Sequence, residues 1–242
     1  MNLEGAGIHA YLWASMVLCW VLMRATRRAQ GIKAPKLKNP RAQQHVALAL
    51  FIAATAAAAG ASWLAAGRFD ADRADILFSA FVIALTLAAA SSMKDSPATL
   101  GISLRGAQTI LIFAVPAAGL AFPPRGDLNM ALFAAAAKPS VFITAFALEL
   151  FFRGYIQTRI EAARGPAAGI LIAAAAYTVF HLPSAWGMFE PAALAVYLVF
   201  TFIIWGCGAG ILFRMSGNVF GIALFHAFWD ISLRAFSGMN PM

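Results

Sequence analysis

Charged residues are scarce in this chain of 242 residues, and this scarcity excludes a soluble globular protein. Only 12% of the residues are charged, whereas 62% are hydrophobic. A soluble domain carries roughly a quarter charged residues. The apolar runs are about 17–22 residues long, which suits helices that cross a bilayer, since a barrel strand needs only about 10 alternating residues. The sequence therefore predicts an all-α, polytopic helical membrane protein.

Cysteine is also scarce, because the chain has only two, Cys19 and Cys207, and both lie in apolar runs. This excludes a disulfide framework and a CxxC metal pair. The chain also lacks the motifs of several hydrolase classes, namely HExxH, GxGD around an aspartate, and a GxSG serine segment. Neither cysteine has a histidine nearby in sequence. After these exclusions, the catalytic chemistry still available to the chain is general acid–base catalysis by carboxylates and imidazoles.

Positive charge is concentrated in one short segment, which argues against nucleic acid as a partner. Most of the net charge of +8 lies in residues 24–41, which contain no acidic residue. The positive-inside rule predicts that this segment is a cytoplasmic loop or short surface helix, with the amino terminus outside. A lipid-headgroup or partner site in the same loop is the alternative. No basic segment precedes the first apolar run, so we expect a retained span, not a cleaved signal peptide.

Eight spans are predicted, with both chain termini outside. The fifth span starts near residue 128 or after Pro139 and ends near 163, where Gly165-Pro166 breaks the helix. Pro116 predicts a kink in the fourth span, and residues 182–187 are predicted to form an outer loop. The other approximate bounds are 8–23, 45–66, 76–93, 107–122, 167–181 or slightly beyond, 191–213 and 219–236.

Glu149 and Arg153 place an acid and a base four residues apart inside an apolar run. On a helix, this spacing puts both side chains on one face. Ionisable groups inside a span are costly and indicate a functional site. If the fifth and sixth helices form an antiparallel hairpin, Glu149 lies level with His181, because both are sixteen residues from Gly165. By the same argument, Arg153 lies level with Tyr177.

The eighth helix adds His226 and Asp230, which are again four residues apart and on one face. Few other ionisable residues are expected deep inside a span, so we predict one polar pocket between three helices. Each group also has a structural alternative. Arg153 could simply neutralise Glu149, His181 could be an interfacial histidine, and His226 with Asp230 could be a helix-packing pair. The predicted pocket is formed by Glu149, Arg153, His181, His226 and Asp230.

Three motifs in this order resemble those of the CPBP family, which includes the CAAX prenyl proteases of the Rce1 type and the bacterial Abi proteins. The family pattern is Glu-Glu-x-x-x-Arg, then Phe-x-x-x-His, then His-x-x-x-Asn or Asp. The match covers residues 140–236. It implies one membrane domain over 1–242, with generic amino-terminal spans over 1–138 and a CPBP/Abi-like catalytic core over 139–237. The matching segments are Glu149-Leu-Phe-Phe-Arg153-Gly154, Tyr177-Thr-Val-Phe-His181 and His226-Ala-Phe-Trp-Asp230.

The resemblance implies an intramembrane glutamic endopeptidase. His181 would then work with a glutamate to activate water. His226 and Asp230 would bind the oxyanion or orient the water, and imidazole donors act strongly in a lipid-shielded pocket. Arg153 would hold the acidic motif in place. Tyr177, which replaces the motif phenylalanine and adds a hydroxyl, would support the pocket.

Leu148 stands where the family has its first glutamate, which is usually taken as the catalytic one, so only Glu149 remains. Neighbouring helix positions point about 100° apart, so Glu149 cannot replace that residue without helix rotation. The substitution favours an alternative, in which the protein is a non-catalytic scaffold, chaperone or immunity-type member of the fold. A transporter or proton pathway that uses the same polar groups is a third possibility.

The expected partners are the lipid bilayer and a membrane-associated protein or peptide substrate, which need not be prenylated. No cofactor is expected. A zinc ion is the alternative, since every acid and imidazole of the pocket is a possible ligand. The size of the chain and its alanine-rich runs favour an integral, multi-pass protein of a bacterial inner membrane. The zinc alternative would use Glu149, His181, His226 and Asp230.

Overall fold

The computed structural model describes residues 3–26, 37–65, 71–103, 107–121, 134–186 and 189–237. Within these ranges the chain is helical and has no strand. Five helices are long and apolar enough to cross a membrane, and three shorter apolar helices accompany them. These findings confirm the predicted helical, polytopic membrane protein. Most of the predicted basic loop over 24–41 lies outside the described residues.

In the described ranges, eight helices correspond to the predicted spans, although the first three each begin five residues earlier than predicted. The fifth begins at Pro139, which is the later of the two predicted starts. Their bounds are α1 Leu3–Ala25, α2 Pro40–Ala65, α3 Ala71–Ser92, α4 Ala107–Ala121, α5 Pro139–Arg164, α6 Pro166–Ala185, α7 Pro191–Ser216 and α8 Val219–Ser237.

The predicted loop over 182–187 is wrong for residues 182–185, because α6 continues to Ala185. Pro183 lacks the N–H that would bond to the preceding turn, and an interior proline usually kinks or breaks a helix. Here the helix ends two residues later, so only its final turn is affected. Trp186 N–H closes that turn by donating to the Leu182 carbonyl at 2.9 Å.

Two glycines make the turns that bring the site-bearing helices side by side. Gly165 has a φ of +89° between α5 and α6, and Gly217 has a φ of +66° between α7 and α8. Residues with a Cβ rarely adopt such angles. Pro166 then occupies the first turn of α6, where its missing N–H costs nothing. The predicted break at Gly165-Pro166 is therefore confirmed.

Helix α5 is the centre of the molecule. Every residue from 147 to 161 is buried, because the helix packs against α2, α3, α6 and α8. A helix that is buried all round needs apolar residues on every face, and the run of Leu150, Phe151 and Phe152 provides them. Polar residues on this helix are consequently shielded from lipid.

Both α5 and α7 contain a π-helical segment, which the sequence did not predict. The segments are Leu150–Gln157 and Thr201–Gly208. π turns are rare and are frequent at functional sites. In α5, the Gly154 carbonyl accepts hydrogen bonds from Thr158 Oγ1 at 2.6 Å and from Arg159 Nη1 at 3.0 Å. Side chains thus satisfy a carbonyl in the widened turn.

Gly154 allows a close backbone approach to α5, and we expect Gly154→Ala to destabilise the protein. An added Cβ would lie 2.6 Å from the Leu100 carbonyl oxygen, at the end of the 3₁₀ turn Pro97–Leu100. Backbone cannot move aside cheaply, so the expected loss is about 1–3 kcal/mol of unfolding free energy, measured as a lower Tm in detergent. Gly60→Ala on α2 is the control, since a Cβ there meets nothing within 4 Å. Equal Tm values for the two variants would contradict the prediction.

Candidate functional site

Glu149 and Arg153 form an ion pair on the central helix. Arg153 Nε donates to Glu149 Oε2 at 3.2 Å, and neither side chain is exposed. The spacing of four residues therefore brings the two groups together, although the π segment begins at Leu150. The buried carboxylate has its charge partner on its own helix.

Helix α8 brings His226 to the same carboxylate. His226 Nδ1 lies 2.8 Å from Glu149 Oε1. The N–H direction at Nδ1 does not point at this oxygen. The two atoms therefore form a close charge contact and not a directed hydrogen bond. On the opposite side of the ring, Nε2 lies 3.3 Å from the Tyr177 hydroxyl and 3.7 Å from Asp230 Oδ2. His226 thus stands between two carboxylates.

Tyr177 on α6 contacts both Arg153 and His226. Its ring lies under the Arg153 guanidinium, with 5.3 Å from Cζ to the ring centroid. This contact confirms the predicted register of the α5–α6 hairpin, in which Arg153 is level with Tyr177. The hydroxyl, which a phenylalanine would lack, reaches His226. Tyr177 therefore belongs to the polar cluster and is more than a packing residue.

His181 lies one turn after Tyr177 at the edge of the cluster, where it is partly buried. Its Nδ1 donates to the Tyr177 carbonyl at 2.9 Å. A carbonyl only accepts, so Nδ1 carries the proton and Nε2 keeps its lone pair. The imidazole packs on the Tyr177 ring at 4.3 Å and lies within electrostatic range of Glu149 and His226. Through Tyr177, the cluster joins His181 to His226.

Trp205, on α7, is a residue of the cluster that no sequence motif indicated. Its indole Nε1 donates to Glu149 Oε1 at 3.2 Å, and its carbonyl accepts from Arg153 Nη2 at 3.3 Å. Its ring lies 4.5 Å from the ring of His226. A tryptophan in an apolar run resembles a core residue. The available signal was its N–H, which usually finds a partner when the residue is buried.

Leu148 and Asp230, the two motif positions not yet described, differ in their exposure to solvent. Leu148 is 6% exposed and packs in the main apolar core. The position of the family's first glutamate therefore contributes an apolar side chain and no carboxylate. The side chain of Asp230, in contrast, is 33% exposed, whereas that of Glu149 is fully buried. The cluster therefore extends from a closed end at Glu149 to a more open end at Asp230.

The expectation that few other ionisable residues lie deep in a span is wrong for α5. Arg159 is fully buried and pairs with Asp95 at 2.6 Å, and buried Glu161 pairs with Arg214 at 2.8 Å. Arg159 is ten residues beyond Glu149, or about 15 Å along a helix. These pairs form a second polar layer, closer to the Gly165 turn. No motif or spacing rule links these residues, because their partners lie on other segments of the chain.

The zinc alternative names four residues of this cluster, Glu149, His181, His226 and Asp230. No group of three or more histidine, cysteine, aspartate or glutamate side chains in the described ranges could hold a metal ion. Glu149 and Asp230 instead face the two nitrogens of His226, and His181 turns its Nδ1 to a carbonyl. The donor atoms are directed at one another and do not surround a common point.

Residues 130–232 match a family model, described as type II CAAX prenyl endopeptidase Rce1-like. The matched region includes all six residues predicted for the pocket and its support, and it also includes Trp205. No curated protein sequence and no solved structure matches the chain significantly.

Proposed function

We propose that this chain, which belongs through residues 130–232 to the Rce1-like family of type II CAAX prenyl endopeptidases, cleaves a membrane-associated protein or peptide inside the bilayer. The family is one of membrane-embedded proteases, which supports a hydrolase. The observation that carries the mechanism is the 2.8 Å contact between His226 and Glu149. It puts a buried negative charge next to an imidazole, which favours a protonated ring that can donate to developing negative charge.

We assign the general base to His181, working with the charge of Glu149. His181 Nε2 has the free lone pair, because Nδ1 is bonded to a carbonyl. It can accept a proton from a water molecule as the oxygen attacks the peptide carbonyl. The negative charge of Glu149 stabilises the imidazolium that results, and this imidazolium returns the proton to the leaving amine as the peptide bond breaks. General acid–base catalysis of this kind contributes about 10²–10⁴-fold to the rate.

We assign stabilisation of the oxyanion to His226, aided by Asp230. When the ring is protonated, Nε2 can donate to the developing negative charge, next to the Tyr177 hydroxyl at 3.3 Å. Asp230 and Glu149 stabilise the protonated ring from its two sides. Fixed donors in a water-poor site stabilise such charge strongly. Arg153 holds Glu149 in place and does not act on the substrate.

The proposed substrate is defined by its location and not by a lipid modification. The family description names prenyl endopeptidases, but nothing in the described pocket selects a prenyl group. We therefore propose a protein or peptide at the membrane surface, in an integral membrane enzyme of a bacterial inner membrane. We propose no cofactor, because the acids and imidazoles contact one another.

A non-catalytic member of the family is the second candidate, and two observations favour it. Leu148 lies in the apolar core, and Arg153 already neutralises Glu149. Such a protein would use its polar cluster to hold α5, α6 and α8 together. It would bind a membrane partner without cleaving it.

Reconstituted protein is expected to create new peptide termini in a membrane fraction of a strain that lacks it. The protein would be incubated in proteoliposomes with this fraction, and the termini identified by mass spectrometry. Cleavage should persist after treatment with a chelator, and elemental analysis should find less than one metal ion per chain. The Glu149→Gln variant is the control. Identical termini with both proteins would contradict the proposed activity and favour the non-catalytic candidate.

A further inference from the structure

The Glu149 carboxylate is held from two sides by two different helices. Its Oε2 accepts from Arg153 on α5, whereas its Oε1 accepts from Trp205 Nε1 on α7 at 3.2 Å. The same Oε1 is the oxygen that lies 2.8 Å from His226 Nδ1. The oxygen that meets the imidazole is therefore the one that the indole holds.

Trp205 is held in a single orientation by its surroundings. Its ring stacks parallel to Phe225, with an interplanar angle of 2°, and packs against Trp229 at 5.0 Å. The next residue, Gly206, allows α7 to approach α6 closely, since an added Cβ would lie 2.7 Å from Ala174 Cβ. These contacts leave the indole N–H directed at Glu149.

The backbone of Trp205 also holds the cation of the ion pair. Its carbonyl accepts from Arg153 Nη2 at 3.3 Å and also from the Ala209 N–H within the helix. A carbonyl has two lone pairs, so both bonds can form at once. One residue in the α7 π segment thus contacts Glu149 and Arg153 together.

We infer that Trp205 is a positioning residue that sets the direction of the Glu149 carboxylate toward His226. The terminal torsion of a glutamate is broad and roughly two-fold, so Arg153 alone leaves Oε1 free to turn. The indole N–H removes this freedom. Trp205 acts through Glu149 and does not touch the substrate. Only the kinetic consequence of this inference rests on the proposed function.

The test compares Trp205→Phe with Trp229→Phe. The first change removes the indole N–H and keeps an aromatic ring. The second removes a neighbouring indole that packs on Trp205. The Glu149 carboxylate band is isolated in the infrared spectrum by subtracting the spectrum of the matching Glu149→Gln protein. We expect the frequency of this band to shift in Trp205→Phe and to keep its wild-type value in Trp229→Phe. An unchanged band in both variants would overturn the inference.

A second measurement uses the intact indole and does not depend on the folding of Trp205→Phe. In protein labelled with ¹⁵N-tryptophan, Glu149→Gln should move the indole N–H resonance of Trp205 and leave that of Trp229 in place. The Trp205 resonance is assigned by its absence from Trp205→Phe or, if that variant does not fold, from Trp205→Tyr. A Trp205 resonance that does not respond to Glu149→Gln would overturn the inference.

The kinetic arm applies once a cleaved substrate has been identified. We expect Trp205→Phe to lower kcat about 10-fold, as loss of an orienting partner typically does, with KM within about two-fold. Trp229→Phe should retain the wild-type kcat. If the band shifts but no cleavage occurs in any sample, the positioning role stands and the proposed function fails. A wild-type kcat in an active Trp205→Phe enzyme would overturn the catalytic part of the inference.

Discussion

Replacing Glu149 with glutamine is expected to lower proteolysis by about 10²–10⁴-fold. Glutamine has nearly the same shape but carries no charge, so the imidazolium of the proposed mechanism loses its counter-ion. The change also leaves Arg153 buried without its carboxylate partner. The measurement is the initial rate at which new termini appear in proteoliposomes. His181→Ala is expected to lose as much, because it removes the proposed base.

The matched control for Glu149 is Glu161→Gln. Glu161 is a second buried carboxylate on α5, paired with Arg214 in the other polar layer. Its change should leave the rate of cleavage within about two-fold of wild type, after correction for the amount of folded protein. Residues that act as one unit are not additive, so the double variant of Glu149 and His181 should be no slower than either single one. Full activity of Glu149→Gln would disprove the assigned mechanism.

Asp95→Ala is expected to cause the largest loss of stability. Asp95 pairs with the fully buried Arg159 at 2.6 Å, and removing one partner of a buried pair costs about 3–5 kcal/mol, because the other charge stays unpaired. Arg159 also donates to the Gly154 carbonyl in the π segment, so a displaced Arg159 would disturb the site helix. The measurement is unfolding in detergent, followed by Tm and by denaturant titration.

Two further variants separate this effect from the simple loss of an ion pair. Lys138 and Asp72 are also 2.6 Å apart, but their side chains are 49% and 33% exposed. Lys138→Ala should therefore cost less than about 1 kcal/mol. Adding Arg159→Met to Asp95→Ala removes the orphaned charge and should recover part of the stability. Equal losses in Asp95→Ala and Lys138→Ala would show that burial of the pair has no effect.

The sequence was sufficient to predict the helices and the clustering of polar residues from three of them. Bilayer thickness sets the length of each apolar run, and glycine and proline mark the turns, so the number and order of the spans were predictable. The starts of α1, α2 and α3 were each predicted five residues too late. The hairpin register was also predictable from spacing, because Arg153 and Tyr177 lie equally far from the turn at Gly165. The contact between His226 and Glu149 required only that costly groups avoid lipid.

Other features depend on packing that no local pattern encodes. Trp205 is one tryptophan among six, and only the neighbouring helix decides which indole meets a carboxylate. In the π segment of α5, the side chains of Thr158 and Arg159 satisfy the Gly154 carbonyl, and no sequence pattern predicts these contacts. The pairing of Asp95 with Arg159 joins residues 64 positions apart. Pro183 usually marks a helix end, but here it lies inside the last turn of α6.

The burial of α5 over residues 147–161 has a consequence for biosynthesis. α5 is the least hydrophobic of the five long spans, and a charged residue at the centre of a span raises the cost of insertion by about 2.5–3.5 kcal/mol. Glu149, Arg153 and Arg159 all lie on it. The translocon would release such a segment poorly into lipid on its own. Helices synthesised earlier, α2 and α3, therefore have to retain α5 until α6 and α8 emerge from the ribosome.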